Sequence, residues 1–185
     1  DDGGVSAILH TAPMLEKHGW RGYFFITTDY IGAPGFLDEK QIRELRARGH
    51  VVGSHSCSHP PRMAACANAE LDREWRDSVR RLQDILGEPV TTASIPGGYY
   101  SDAVARSAAA AGIRILFTSE TVTTTGLVNG CVTVGRFSVQ QGVSEECVSR
   151  VVADETLPRL GSYEGVTIVT VRAFLAMLPG LVHEQ

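Results

Sequence analysis

Short apolar runs alternate with amphipathic segments along the whole chain. The clearest amphipathic segment is 68–86, in which apolar residues recur every three or four positions and predict one buried face of a helix. These residues are Leu71, Trp75, Val79, Leu82 and Leu86. The charged residues between them, Glu74 and four arginines included, are mixed in sign and are typical of a solvated face rather than a basic binding patch.

Other apolar runs, rich in β-branched and aromatic residues, predict buried strands. The predicted strands are 23–26, 50–53, 92–95, 113–117, 132–139 with a break at Gly135-Arg136, and 166–171. The remaining predicted helices are 11–18, 38–49, 101–112, 144–160 and 173–178. Thr11, Asp38 and Ser101 are the expected caps of the first three. Residues 3–10 are predicted to form a loop, and 121–130 a loop or an edge strand.

The alternation of strands and helices predicts the α/β class, a parallel sheet with covering helices. A chain of 185 residues without an internal repeat or a long linker is most simply one domain over 1–185. The net charge of −4 gives no electrostatic argument for binding nucleic acid. No apolar run approaches the length of a membrane span, so we predict none.

Two histidines four residues apart, His55 and His59, follow the predicted strand 50–53. This spacing puts both side chains on one side of a helix or a strand, and neutral imidazole is the commonest protein ligand of zinc and similar ions. Two ordinary loop histidines are an equally open interpretation. In an extended segment Cys57 would share their face and could complete a structural zinc site, but Pro60-Pro61 and the serines favour a loop.

A third ligand is needed to distinguish a metal site from two ordinary loop histidines. One of the two adjacent carboxylates of Asp1-Asp2-Gly3-Gly4 could supply it, although an exposed charged terminus is the default interpretation. A catalytic zinc ion usually has three protein ligands and one open position for water. His55, His59 and one aspartate would complete this set. The other aspartate would then lie beside the water, where a general base is needed.

Three motifs of this chain and their order resemble those of the polysaccharide deacetylase family, carbohydrate esterase family four. The motifs are Asp1-Asp2-Gly3, His55-Ser56-Cys57-Ser58-His59 and Pro96-Gly97-Gly98-Tyr99-Tyr100. The resemblance covers most of the chain and implies a distorted (β/α) barrel with fewer than eight units, whose chemistry lies on loops after the strands. Family members have an apolar strand before the Asp-Asp-Gly turn, so we expect a missing or trimmed first strand here.

By this resemblance, Asp1 is the general base, and Asp2, His55 and His59 hold a divalent metal ion. Zinc suits these ligands best, and cobalt, nickel and iron are also compatible with them. The implied substrate is an N-acetylated glycan. The implied reaction is metal-dependent hydrolysis of N-acetyl groups from its amino sugars, with water on the metal as the nucleophile.

The loop Pro96-Gly97-Gly98 is expected to bind substrate, because glycine lets a backbone N–H approach an oxyanion closely. A plain strand-to-helix turn is compatible with the same residues. Tyr99 and Tyr100 follow directly, and either could stack on a sugar ring or pack against the barrel rim.

The chain departs from the family pattern at two positions, the arginine that orients the base and the histidine that supplies the acid. Many members have an arginine two residues before the loop proline, where this chain has Ser94. Arg136 could replace that arginine from another strand and orient the base, the alternative being a surface ion pair. The late Leu-x-His motif that supplies the family's acid matches Leu181-Val182-His183 by letters, but this segment follows the last predicted helix and is interpreted as a coincidence.

Four cysteines without a C-x-x-C pair are expected to be free thiols, which slightly favours a cytoplasmic over a secreted or cell-envelope location. Two other functions stay open. One is an amidohydrolase acting on a small non-carbohydrate amide. The other is a degenerate member of the family that binds glycan or metal without turnover.

Overall fold

The computed structural model describes residues 1–122, 124–139 and 166–168, with side chains described as far as Arg136. The predicted helices at 144–160 and 173–178 lie outside these residues, as do Cys147 and the Leu181-Val182-His183 match. Within the described part of the chain, no helix has the length and apolar character that a membrane span requires.

A six-stranded sheet in the order β1-β2-β3-β4-β6-β5 forms the centre of the molecule. Its strands are β1 Tyr23–Ile26, β2 Val51–Ser54, β3 Thr92–Ser94, β4 Ile115–Phe117, β5 Thr125–Val128 and β6 Cys131–Val134. Neighbouring strands are parallel except β5, which runs antiparallel to β6 at the edge. The predicted α/β class is therefore confirmed. Beyond this sheet, β7 Phe137–Val139 and β8 Val166–Ile168 form an antiparallel pair.

Four α-helices of the described residues connect and cover the strands: α1 Ala12–Lys17, α2 Glu39–Ala47, α3 Asn68–Leu86 and α4 Asp102–Ala110. The predicted capping box of α2 is confirmed, because Asp38 accepts from the Gln41 N–H while the Gln41 side chain accepts from the Asp38 N–H. Ser101 caps α4 as predicted. The loop predicted at 3–10 is wrong in its second half, because Ala7–Thr11 forms a π-helical turn that runs into α1.

The main core lies between the sheet and helices α2, α3 and α4. The predicted stripe of α3 is confirmed for Leu71, Trp75, Val79 and Leu82, whereas Ile85 rather than Leu86 is the fully buried residue of its last turn. α3 packs against both α2 and α4. This packing fixes the helix that runs directly behind the loop after β2.

Because β1, β2 and β3 are parallel, the loops that follow them begin at the same, carboxyl-terminal end of the sheet. Ile26 at the end of β1 pairs with Ser54 at the end of β2, and Ser54 pairs with Ala93 of β3. The histidine segment therefore begins beside the end of β1 on one side and beside β3 on the other. Its side chains can reach both neighbouring loops.

Candidate metal centre and active site

His55 is fixed from three sides at the end of β2. Its N–H donates to the Ile26 carbonyl at 2.8 Å, continuing the ladder with β1. The ring is buried, and its Nδ1 lies 3.0 Å from the Ser94 carbonyl oxygen and 2.6 Å from the Ser94 hydroxyl oxygen. Because a carbonyl oxygen only accepts, Nδ1 carries the proton. In the neutral ring Nε2 is then the free acceptor, as metal ligation requires.

The loop after His55 turns tightly and brings His59 back toward it. Ser54 Oγ accepts from the Ser56 N–H at 3.1 Å, and Ser56 Oγ accepts from the His59 N–H at 3.0 Å. Ser56 and His59 both have positive φ, 67° and 58°. The predicted loop is thus confirmed against an extended segment. Cys57 does not join the histidines; its thiol donates to Asp29 Oδ1 at 3.3 Å.

Asp2 lies in a turn beside the end of β1. Its carbonyl accepts from the Thr27 N–H at 3.2 Å, and its φ is 67°. The carboxylate Oδ1 is 3.2 Å from His55 Nε2 and 3.3 Å from His59 Nε2. The structure therefore brings the three predicted metal ligands together, with one ligand atom of each within 4.8 Å of the others.

The spacing and charge of these atoms fit a small divalent cation. Ligands about 2.0–2.1 Å from one tetrahedral ion lie roughly 3.3 Å apart, as the two nitrogen–oxygen distances do. Burial lowers the pKa of His55 to about 4, so the ring is neutral at pH 7. An acceptor nitrogen therefore faces a carboxylate oxygen, an arrangement that a cation between them would stabilise.

Asp1 has a different set of partners from Asp2. Its two carboxylate oxygens accept from Arg136 Nη1 at 3.0 and 2.9 Å, and Oδ1 also accepts from the Ser94 hydroxyl at 3.1 Å. Arg136 Nε donates to the Thr118 carbonyl at 2.8 Å, which fixes the guanidinium. Burial lowers the pKa of Arg136 to about 10, so it keeps its charge at neutral pH. The alternative of a surface ion pair is wrong, because Arg136 is 3% exposed.

Pro96, Gly97 and Gly98 form one 3₁₀ turn between β3 and α4. Both glycines have positive φ, and a Cβ on Gly98 would come within 2.3 Å of the Ser119 side chain. The strand-to-helix turn expected for this pair is thus confirmed. A Cβ on Gly97 would lie 3.8 Å from the carbonyl oxygen of Pro61, so the turn borders the segment that directly follows His59.

The two tyrosines after this turn differ in their surroundings. Tyr99 is 41% exposed, and the Arg62 guanidinium lies 4.9 Å from its ring centroid. Tyr100 is partly buried, and its hydroxyl donates to Asp102 Oδ1 at 3.0 Å, at the start of α4. Of the two residues, Tyr99 is the one that presents its ring to solvent beside the loop that carries His59.

Sequence reasoning missed one buried acid behind the site. Glu74 of α3, predicted to lie on a solvated face, is 3% exposed. It accepts hydrogen bonds from Cys57 and Ser58 in the histidine loop. A signal was present, because Glu74 follows Leu71 by three positions and precedes Ser78 by four, which puts it on the buried side of the helix.

Comparison with known proteins connects this geometry to a family. A sequence model described as polysaccharide deacetylase matches residues 1–116. The chain is 25% identical over 120 residues to YxkH of Bacillus subtilis, which is named as a member of the polysaccharide deacetylases, covering 65% of this chain and 43% of that protein. It is 30% identical over 101 residues to a chitooligosaccharide deacetylase of Sinorhizobium fredii, covering 54% of this chain and 45% of the relative.

Solved structures share the fold. The Streptococcus pyogenes deacetylase PplD, solved in complex with acetate, superposes with a TM-score of 0.72 at 21% identity, over 81% of this chain and 66% of that one. This likeness, together with the strand order, identifies the distorted (β/α) barrel with fewer than eight units. The chain spans less than half of the length of the two curated relatives. The family match covers more than half of the chain, and the protein belongs to the polysaccharide deacetylase family.

Proposed function

We propose that this protein is a metal-dependent hydrolase that removes N-acetyl groups from an acetylated amino sugar in a polysaccharide or other glycan. One observation carries the proposal. The Asp2 carboxylate faces Nε2 of both His55 and His59, while the adjacent Asp1 carboxylate is bound by Arg136. A cation site and a separately oriented base are the two parts that hydrolysis of an amide by activated water requires.

Asp2, His55 and His59 would hold the metal ion, with zinc the best match to two imidazoles and one carboxylate. When bound, such an ion supplies Lewis acidity, which lowers the pKa of coordinated water and polarises the acetyl carbonyl. Ser94 fixes the tautomer of His55, since its carbonyl lies 3.0 Å from Nδ1. That contact keeps Nε2 available to the ion.

Asp1 acts as the general base in this proposal. It takes one proton from the water whose oxygen bonds to the acetyl carbon, and the C–N bond then breaks to release the sugar amine and acetic acid, which ionises to acetate in solution. The proton held on Asp1 can pass to the leaving nitrogen, which balances the reaction without a second acid. Arg136 and Ser94 orient the carboxylate for both transfers, because together they engage both of its oxygens.

The turn at Pro96, Gly97 and Gly98 and the ring of Tyr99 would bind the sugar. The Gly98 N–H already donates to the Ile95 carbonyl at 2.9 Å, so an oxyanion contact from this glycine pair falls to Gly97. Tyr99, exposed beside the loop, offers an aromatic face on which a pyranose ring can stack. These features support a glycan rather than a small amide as the substrate.

The test measures metal content and acetate release together. Protein purified with zinc is assayed on an acetylated chitooligosaccharide, alongside His55→Ala and the matched control His10→Ala, which changes an exposed histidine outside the site. We expect about one metal ion and acetate release in the parent and the control, and loss of both in His55→Ala.

Three other outcomes would replace the proposal. A parent that binds no metal would rule out the mechanism. Bound metal without acetate release from any glycan would favour a binding protein without turnover. Acetate release from small acetamides but not from glycans would favour the small-amide hydrolase.

A further inference from the structure

We propose that Glu74 is a positioning residue for the metal centre: its buried carboxylate holds the loop that carries His59 in the shape that metal binding needs. This inference rests on the proposed function, since it assigns a role toward the ion held by Asp2, His55 and His59. Glu74 does not touch the ligand atoms themselves. It acts through the backbone of the loop between the two histidines.

Three hydrogen bonds join Glu74 to that loop. Oε2 accepts from the Cys57 N–H at 3.0 Å and from the Ser58 N–H at 2.8 Å, and Oε1 accepts from the Ser58 hydroxyl at 2.7 Å. Hydrogen bonds to a carboxylate are shorter and stronger than those between neutral groups. One side chain thus satisfies two consecutive backbone donors and the hydroxyl of the residue before His59.

The loop needs such support because its backbone is unusual. Ser56 and His59, on either side of the two bonded residues, have φ of 67° and 58°, and Asp2 has 67°. Asn129 is the one other non-glycine residue of the described chain with positive φ. Residues in this region cost free energy and persist when their surroundings hold them. Glu74 provides that hold between the two strained positions of the histidine loop.

Burial distinguishes Glu74 from every other acid in the described part of the chain, where it is the one fully buried carboxylate. Removing a carboxylate from water is costly unless hydrogen bonds replace its solvation. On the same helix, Asp72 and Asp84 are exposed, and Asp77 pairs with Arg76 at the surface. The hydrogen bonds from the histidine loop therefore replace the solvation that the Glu74 carboxylate loses on burial.

Variants separate positioning from simple stabilisation. Glu74→Leu removes all three acceptors, and Glu74→Asp keeps the charge but is one methylene too short to reach them. Glu74→Gln keeps one oxygen for the two N–H donors, and its amide can donate to the Ser58 hydroxyl, so it should rescue the loop. Asp72→Ala is the matched control, because it removes the bond that Ser107 donates from α4 at 2.6 Å and leaves the histidine loop intact.

The measurement is the dissociation constant for Zn²⁺, obtained by competition with a chromophoric chelator, together with the melting temperature of each metal-free protein. Loss of a group that orients metal ligands typically weakens metal binding by about 10–100-fold. We expect a loss of this size in Glu74→Leu and Glu74→Asp, near-parental affinity in Glu74→Gln, and parental affinity in Asp72→Ala even where its melting temperature falls.

The outcomes distinguish this inference from the proposed function. A parent that binds no Zn²⁺ overturns both. A parent that binds Zn²⁺ together with a Glu74→Asp variant of equal affinity overturns the positioning role alone. Equal losses in the Asp and Gln variants would also overturn it, because the geometry of the three bonds would then be irrelevant. Should Glu74→Leu fail to fold, the Asp and Gln pair still decides.

Discussion

Two consecutive carboxylates, Asp1 and Asp2, lie in opposite environments. The Asp1 side chain is 22% exposed and contacts a buried guanidinium and a hydroxyl, both of which donate to it. The Asp2 side chain is 52% exposed and faces two imidazole nitrogens that can act as acceptors. Hydrogen-bond donors hold the Asp1 carboxylate in place as an anion. The imidazole nitrogens beside the Asp2 carboxylate could bind a cation together with it. Under the proposed function, their surroundings, rather than their residue type, make Asp1 the base and Asp2 a metal ligand.

The backbone makes this separation between neighbours possible. Asp2 has a φ of 67°, and its carbonyl is bound by the Thr27 N–H just after β1. The turn sends the two side chains to different partners: Asp1 to Arg136, which follows β6, and Asp2 to the histidine loop after β2. A strained turn beside a strand end can thus place two identical neighbouring groups in different surroundings.

Replacing each carboxylate with its amide gives the largest expected effects and tests the comparison directly. Asp2→Asn should lose both bound zinc and activity, because the site then lacks its anionic ligand. Asp1→Asn should keep zinc while kcat falls by roughly 10²–10⁴-fold, the usual contribution of a general base. Metal analysis and acetate release on the same samples check both expectations.

Two results would contradict the contrast between Asp1 and Asp2. Zinc loss in Asp1→Asn equal to that in Asp2→Asn would make Asp1 a ligand rather than a separate base. Conversely, full activity in Asp1→Asn would remove the base assignment and require another group to take the proton from water.

The three candidate ligands could be recognised in the sequence, because histidine and aspartate are chemically distinctive residue types and lie at short spacing. His55 and His59 are four residues apart, and the two aspartates are adjacent, so the donors could be recognised before any fold was known. The apolar patterns also predicted one strand and one helix with their observed bounds, β1 Tyr23–Ile26 and α3 Asn68–Leu86.

The supporting contacts were harder to predict, for physical reasons. Arg136 reaches Asp1 across 135 positions, so its burial depends on how β6 closes against β4. Ser94 was noted only as a missing arginine, although its hydroxyl and carbonyl contact both Asp1 and His55. Glu74 was assigned to solvent as one of the mixed charges on α3. Its spacing from Leu71 indicated the buried side, but its partners are mainly backbone N–H groups, which the sequence does not identify.

Arg136 is the next test, with an intermediate expected effect. Arg136→Met removes the charge that fixes Asp1 and should lower kcat roughly 10²-fold, since misplacing a catalytic group by about 1 Å costs that much. Arg136→Lys keeps the charge but not the planar guanidinium, which also bonds Thr118, so it should recover only part of the activity. Zinc content should stay unchanged in both variants.

Acetate release under saturating substrate measures these effects. Unchanged activity in Arg136→Met would end the orienting role that we assign to Arg136. Loss of zinc in the same variant would show that the Asp1 and Asp2 regions are one coupled site, against the contrast drawn between them.

Ser94 gives the smallest expected effect and sharpens the comparison most, because it contacts both Asp1 and the metal-site residue His55. Its hydroxyl donates to Asp1 Oδ1, while its hydroxyl and carbonyl oxygens both lie near His55 Nδ1. Ser94→Ala removes the hydroxyl and leaves the carbonyl, so His55 keeps its tautomer and zinc affinity should not change. Asp1 loses one donor but keeps Arg136, and kcat should fall about tenfold, the scale of one hydrogen bond to a charged group.

Ser107→Ala, which removes a buried hydroxyl on α4 that donates to Asp72 and not to the site, controls for the general cost of this substitution. A fall in kcat without a change in the Zn²⁺ dissociation constant assigns the Ser94 hydroxyl to the base. A fall in zinc affinity as large as the fall in kcat would instead assign the hydroxyl to His55. The Ser94 hydroxyl would then orient both His55 and Asp1. The metal site and the base would have different roles, but a change at one would also affect the other.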